Sequence, residues 1–213
     1  MKILLTGATG YIGKRLLPIL IDQGHDIVCC VRDLNRFFVP LPFKDLVSVV
    51  EVDFLKKETL QAIPSDIDAA YYLIHSMSSS ANNYDKLEKE SALNFVSQIN
   101  KTKAQQVIYL SGIINDDTLS KHLSSRKKVE ETLNTGTYAM TTLRAGIIVG
   151  SGSASFEIIR DLVNKLPVMI TPKWLNTRCQ PIAITDVLEF LSKSLLNRAT
   201  YNQSFDIGGP DIL

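Results

Sequence analysis

Gly7, Gly10 and Gly13 stand at even three-residue steps in LLTGATGYIGKRLL, between an apolar run and a helical pattern. Glycine adopts positive φ without penalty and lets another group approach the main chain where a Cβ would stand in the way. Both properties are needed where a strand turns into a helix whose first N–H groups bind an anion. The turn formed by Gly7, Thr9, Gly10, Tyr11, Ile12 and Gly13 is therefore expected to cradle the pyrophosphate of a dinucleotide. Its spacing is GxxGxxG and departs from the GxGxxG dinucleotide fingerprint. The competing reading is a tight turn in which Gly13 serves only helix–sheet packing.

A dinucleotide site also needs a residue for the adenine ribose at the end of the next strand, an acid for free hydroxyls or a cation for a 2′-phosphate. DIVCCVRD places Arg32 there, with Asp33 next and Arg36 shortly after. Two arginines can clamp a phosphate, so the expected cofactor is NADP(H), with NAD as the alternative. The bland reading makes Arg32 a solvated strand end and Arg36 a helix-surface charge. Asp53 in VEVDF stands either where an adenine amino group would be met or as the N-cap of LKKETL. His75 and Ser76 follow AAYYLI, where a nicotinamide ring would lie, or cap that loop. Arg144 in TTLRAG orients a substrate or pairs with an acid, and Trp174, Arg178 and Gln180 are read as cleft lining. Tyr109 is read as sheet core.

These residues need elements to hold them. Short runs rich in Ile, Val, Leu and Tyr alternate with amphipathic stretches, the pattern of βα units around a parallel sheet buried on both faces. Strands are expected over Lys2 to Thr6, Asp26 to Val31, Val47 to Val52, Ala69 to Ile74, Val107 to Leu110 and Ala139 to Leu143. Ala145 to Val149 continues the last of these or forms a further segment, and SFDIGG closes as a strand. Helices are expected over Tyr11 to Gln23, stopped by Gly24, and over Leu55 to Ile63, ended by Pro64. Others are expected over Tyr84 to Asn100, about Leu119 to Leu133, Phe156 to Leu166, and TDVLEFLSKSLL with Thr185 or Asp186 as N-cap.

The fold class that follows is α/β, a doubly wound (Rossmann) parallel sheet with helices on both faces and a small C-terminal substrate-side extension. Residues 1–213 are expected to form one domain, with 1–150 the dinucleotide-binding core and 151–213 the extension. The sequence stops at FDIGGPDIL with no closing helix, as a chain truncated at its C-terminus would.

Bulk properties exclude several classes. A chain of 213 residues that is 45% hydrophobic and 21% charged folds around a substantial core. A formal charge of +1 gives no field to gather nucleic acid or an anionic membrane, so neither is expected as a partner. No stretch reaches the run of about 20 apolar residues that a membrane helix needs, and the start MKILLTG lacks the features of a signal peptide, so the expected location is the cytoplasm. Cys29, Cys30 and Cys179 show no metal-ligand spacing and are read as reduced, packed thiols, with no metal site expected.

TGATGYIG, the arginine after strand two, VDF after strand three, the serine in YLSG and LRAGIIVG at Leu143 to Gly150 together resemble the short-chain dehydrogenase/reductase superfamily. They are most similar to its atypical and extended branches, the NAD-dependent epimerase/dehydratase and NmrA-like groups. The resemblance carries Asp53 and Phe54 of VDF over as cofactor-binding residues. It also implies catalysis by a Tyr-x-x-x-Lys pair on the helix after strand five, with a serine from the end of that strand. Ser111 takes the serine position. KHLSSRKKVEETL matches the helix pattern only with His122 at the tyrosine and Arg126 at the lysine, Ser125 and Glu130 being in register.

That departure changes the chemistry. His122 and Arg126 share one helical face. A neutral imidazole can donate or take a proton near neutral pH, whereas a guanidinium cannot give one up and can only hold a ribose or a carboxylate. Two functions follow. One is an NADP(H)-dependent oxidoreductase of the epimerase/dehydratase type, in which Ser111 and His122 polarise and protonate a carbonyl-type small molecule. The other is a non-catalytic NADP(H)-binding redox sensor or assembly protein, whose partner is another protein.

Overall fold

The structure is a computed structural model that describes residues 1–39, 41–74, 84–113, 121–165 and 178–213. Seven strands form one parallel sheet: β1 (Lys2–Thr6), β2 (Asp26–Val31), β3 (Val47–Glu51), β4 (Ala69–Tyr72), β5 (Gln106–Gly112), β6 (Ala139–Ala145) and β9 (Gln203–Ile207). Their order is β3-β2-β1-β4-β5-β6-β9. The chain runs outward from β1 to one edge, then returns to pair β4 on the other side of β1, Leu4 opposite Ala70. That reversal opens a crevice at the carboxyl ends of β1 and β4, where sheets of this kind bind ligands.

Alternation along the strands fixes the two faces. Leu5, Ile27, Cys29, Tyr71 and Ile108 point to one side, against helices α1 (Tyr11–Asp22) and α5 (Ile184–Ser194). Leu4, Val28, Cys30, Tyr72 and Tyr109 point to the other, against α2 (Tyr84–Ile99) and α3 (Lys121–Leu133). Each helix supplies an apolar stripe, such as Leu16, Leu17, Leu20 and Ile21 in α1. The result is the doubly wound α/β sheet, covered on both faces. Cys29 and Cys30 therefore face opposite cores, and burial pushes the Cys29 thiol up to about 12.

Several elements differ from the sequence pattern, each for a local reason. The segment expected as a helix over Leu55 to Ile63 is a short 3-10 turn, Lys57–Ala62. Thr59 Oγ1 takes up the main chain of Asp53 and Lys56 there, at 3.0 and 2.8 Å, in place of a continuing helical ladder. β6 runs two residues beyond its expected end and stops before Gly146, where a Cβ would stand 2.0 Å from the Gln180 carbonyl oxygen. The chain then forms β7 (Ile148–Val149), which pairs with β8 (Ile182–Ala183) as a separate two-stranded sheet. Helix α4 (Ala154–Lys165) follows β7. The N-cap of α5 is Ala183, without a side-chain cap, and not Thr185 or Asp186. Asp186 lies in the first turn, where a negative charge opposes the helix dipole. No described helix is long and apolar enough to cross a membrane.

Candidate functional site

The glycine turn joins β1 to α1, and its three glycines do different jobs. Gly7 has φ +66°, and a Cβ there would stand 2.5 Å from the Leu73 carbonyl oxygen at the end of β4. A Cβ on Gly13 would stand 2.3 Å from the Gly7 carbonyl oxygen, so the first turn of α1 packs directly on the turn itself. A Cβ on Gly10 would meet only the Gly7 carbonyl oxygen, at 3.1 Å, and otherwise open space. Thr6 fastens the neighbouring strand ends: its hydroxyl donates to the Tyr71 carbonyl at 2.9 Å and accepts from the Leu73 amide at 3.0 Å.

Helix α1 begins at Gly10 with no side-chain cap and no acid in its first turn. Its leading N–H groups thus keep their capacity for an anion. An open glycine beside an uncapped helix end is the cradle a dinucleotide pyrophosphate requires, and the residues present fit that group.

A cavity of about 390 Å³ runs along the turn. Its wall joins Gly7, Thr9, Gly10, Tyr11, Ile12 and Gly13 to Arg32 beyond β2 and to Asp53 and Phe54 beyond β3. Arg32 is exposed. Asp53 also caps its own turn, Oδ1 accepting from the Leu55 amide at 3.0 Å. Phe54 is mostly buried against Phe95, ring centroids 5.5 Å apart. Arg36 is not brought to this wall; it ends an exposed 3-10 turn, Leu34–Arg36, capped by Asp33. His75 and Ser76 lie outside the described residues.

A second cavity, about 790 Å³, adjoins the first and shares Tyr11, Ile12, Leu73 and Ile74 with it. Ser111 lines it from β5. The residue is 4% exposed and its Oγ completes no hydrogen bond among the described residues. Burial pushes the Tyr109 phenol up, with the Arg126 guanidinium and Ser111 opposing. Arg126 reaches the same cavity from α3, Nη1 donating to the Leu110 carbonyl at 3.1 Å. His122 falls in the first turn of α3, one helical turn before Arg126.

Neighbours of this pair set its position. Ser125 donates to Glu88 of α2 at 2.6 Å. Glu130 accepts two bonds from Arg144, at 2.7 and 3.2 Å, and one from Ser204 at 3.1 Å. Arg144 thus takes the structural side of its two readings, tying α3 to β6 and β9. Glu130→Ala leaves that guanidinium with only Asp206, 3.7 Å away. It is expected to destabilise the fold by about 2–3 kcal/mol, measured by denaturant unfolding, because a half-buried charge loses its closest partner; an unchanged midpoint would refute the role.

Arg178 and Gln180 line the second cavity, while Trp174 lies outside the described residues. Gln180 Nε2 donates to the Gly209 carbonyl at 2.6 Å, so this residue also pins the chain after β9. Sequence reasoning missed Leu73, Ile74 and Asp206. The rule that ligands sit at carboxyl ends of strands, applied to FDIGG, points to Asp206. It also missed that Tyr11 lines both cavities, its buried hydroxyl without a hydrogen bond among the described residues and a Gly150 Cβ position only 2.6 Å from it.

Comparison with known proteins agrees with this geometry. Residues 7–154 match a family described as NAD(P)H-binding. The photosystem II assembly factor Ycf39 of Synechocystis sp. is 26% identical over 52% of this chain and 33% of its own length. Arabidopsis thaliana divinyl chlorophyllide a 8-vinyl-reductase, a chloroplastic protein, is 22% identical over 99% of this chain and 54% of its own. The chain thus spans a third to about half of these curated relatives. Among solved structures, a nucleoside-diphosphate-sugar epimerase from Staphylococcus aureus superposes with a TM-score of 0.79 at 18% identity, covering 100% of this chain and 72% of that one. UDP-glucuronic acid 4-epimerase from Bacillus cereus, in complex with NAD, gives 0.75 at 18% identity over 100% and 79%. These likenesses establish the same fold.

Proposed function

The chain belongs to the NAD(P)H-binding family, and on that premise we propose that it is a cytoplasmic NADP(H)-dependent oxidoreductase acting on a small carbonyl-type molecule. The observation that carries the reading is the junction of the two cavities: the glycine-turn cavity adjoins a second one whose wall holds a buried serine hydroxyl that completes no well-formed hydrogen bond among the described residues. A bound nicotinamide dinucleotide supplies the hydride. Ser111 Oγ, buried beside the Tyr109 phenol, donates to the substrate oxygen and polarises it. His122 delivers the proton. Arg126 remains a fixed positive charge that holds the ribose. Ser153, Arg178, Gln180 and Asp206, from the part of the chain after Gly150, stand on the substrate side. The test is oxidation of NADPH against a carbonyl panel, with His122→Ala expected to abolish turnover while dinucleotide binding persists.

Arg32 is proposed to set the cofactor preference, its guanidinium standing on the cavity wall where an acid would accept ribose hydroxyls. Arg32→Ala is expected to raise the dissociation constant for NADPH about tenfold and leave that for NADH unchanged, the loss of one exposed charge-assisted contact. Calorimetric titration of both cofactors measures it, and equal changes for the two would refute the assignment.

A second reading is favoured by one observation. Where the superfamily pattern has tyrosine and lysine, this chain has His122 and Arg126, and Arg126 already donates to the Leu110 carbonyl. A binding protein without hydride transfer, as assembly factors among its relatives suggest, would then bind NADP(H) and recruit a protein partner according to cofactor state. Turnover on any carbonyl separates the two readings, and capture of a partner by loaded but not by empty protein supports the second.

A further inference from the structure

The second cavity carries positive charge that the protein leaves unneutralised. Two guanidinium groups, Arg126 and Arg178, and one carboxylate, Asp206, reach its wall. Asp206 faces Arg144 at 3.7 Å, and Arg144 is in turn held by Glu130. Neither Arg126 nor Arg178 forms an ion pair among the described residues. Arg126 is bonded to a neutral carbonyl oxygen, and Arg178 is exposed with no hydrogen bond among the described residues.

The wall also carries many apolar residues, Ile12, Leu73, Ile113 and Ile147 among them. An apolar space favours a molecule that sheds water-exposed hydrocarbon surface, and a guanidinium with no ion-pair partner among the described residues favours an anion over a neutral group. Ser111 adds one buried donor-acceptor that completes no well-formed hydrogen bond among the described residues. Among the described side chains of this wall, Ser153 and Gln180 already donate to main-chain carbonyls and Asp206 faces Arg144, so the hydroxyl groups of a sugar would meet mainly Tyr11 and Ser111, and each unpaired polar group would disfavour binding.

We propose that the second cavity takes an apolar molecule bearing one acidic group, a carboxylate or a phosphate-type anion, which Arg178 anchors at the wall while the Ser111 hydroxyl meets the opposite, reacting end. This rests on the reading of that cavity as the substrate side. It separates this chain from the sugar-nucleotide ligands named for the structures it resembles.

A pair of dyes of nearly equal shape tests it: 1-anilinonaphthalene-8-sulfonate, which is anionic, and N-phenyl-1-naphthylamine, its neutral counterpart. The full chain is used with and without saturating NADPH, so that the glycine-turn cavity can be closed to the dye. Every arm carries Ile158→Ser and Val163→Ser, which remove exposed apolar side chains of α4 that would bind dye adventitiously. The anionic dye is expected to bind about tenfold more tightly than the neutral one, and Arg178→Gln to abolish that difference, the loss expected of one charge-assisted contact. The neutral dye and NADPH are expected to bind Arg178→Gln as they bind the parent. UDP-glucose at millimolar concentration is expected to displace neither dye.

Equal affinity of the two dyes for the parent, an unchanged ratio in Arg178→Gln, or displacement by UDP-glucose would each overturn the proposal. Failure of NADPH to bind would instead overturn the cofactor reading, and the dye ratio measured without NADPH would still decide the anion preference.

Discussion

Alanine at position 13 is expected to cost this protein about 3 kcal/mol or more, while alanine at position 10 leaves it folded and removes its dinucleotide, although both replace a glycine of the same turn. The difference lies in what each new methyl group meets. At Gly13 it would stand 2.3 Å from the Gly7 carbonyl oxygen and 2.9 Å from the Ala8 Cα, both backbone atoms that move only if β1 and α1 separate. A drop in melting temperature of about 6–12 °C follows for a chain of this length.

At Gly10 the contact is 3.1 Å to one oxygen, and the backbone there has φ −78° and ψ 172°, ordinary for any residue. Stability should change by less than about 1 kcal/mol, and the reduced freedom of the unfolded chain acts in the stabilising direction. The methyl group nonetheless stands on the open side of the turn, beside the uncapped N–H groups. Two lost charge-assisted bonds to a phosphate weaken binding about a hundredfold. Thermal melts and NADPH calorimetry on both variants decide this, and a Gly10→Ala protein that binds like the parent would show the glycines to be turn formers only.

Ser111→Ala is expected to lower kcat/KM by about 10²–10³, the usual effect of deleting one donor aimed at a developing oxyanion. Dinucleotide affinity should stay as in the parent, because Ser111 lines the second cavity and not the glycine turn. Stability should change by less than about 1 kcal/mol: the buried hydroxyl completes no well-formed hydrogen bond among the described residues, so its removal relieves a desolvated polar group at little cost. The combination of lost turnover, intact binding and intact stability is the signature of a functional group. If Ser111→Ala turns over like the parent, the oxidoreductase mechanism loses its polarising group. If neither protein oxidises NADPH on any carbonyl while both bind it, the non-catalytic reading stands.

Much of the architecture is legible in the order of residues because it depends on local rules. Alternation of buried strands with amphipathic helices gives β1 to β6 and α1 to α3, with most strand ends within two residues, since the period of the hydrophobic pattern is set by backbone geometry. The failures are equally physical. Lys57–Ala62 has too few residues to develop a helix and is diverted by Thr59. The end of β6 depends on a carbonyl supplied by Gln180, which no window around Gly146 contains.

The candidate site divides in the same way. TGATGYIG, read with the apolar run before it and the helical pattern after it, points by itself to a strand, a glycine turn and a helix in succession, with an anion cradle as the expectation and a plain tight turn as its alternative. Which glycine serves the fold and which serves the ligand is decided by Leu73, brought beside Gly7 by the pairing of β1 with β4. In the sequence Arg144 reads as orienting a substrate or pairing with an acid, and Arg178 as cleft lining. Only the tertiary structure hands the first to Glu130 and Asp206 and leaves the second at the cavity wall with no ion pair among the described residues, because the neighbours that decide it lie tens of residues away along the chain.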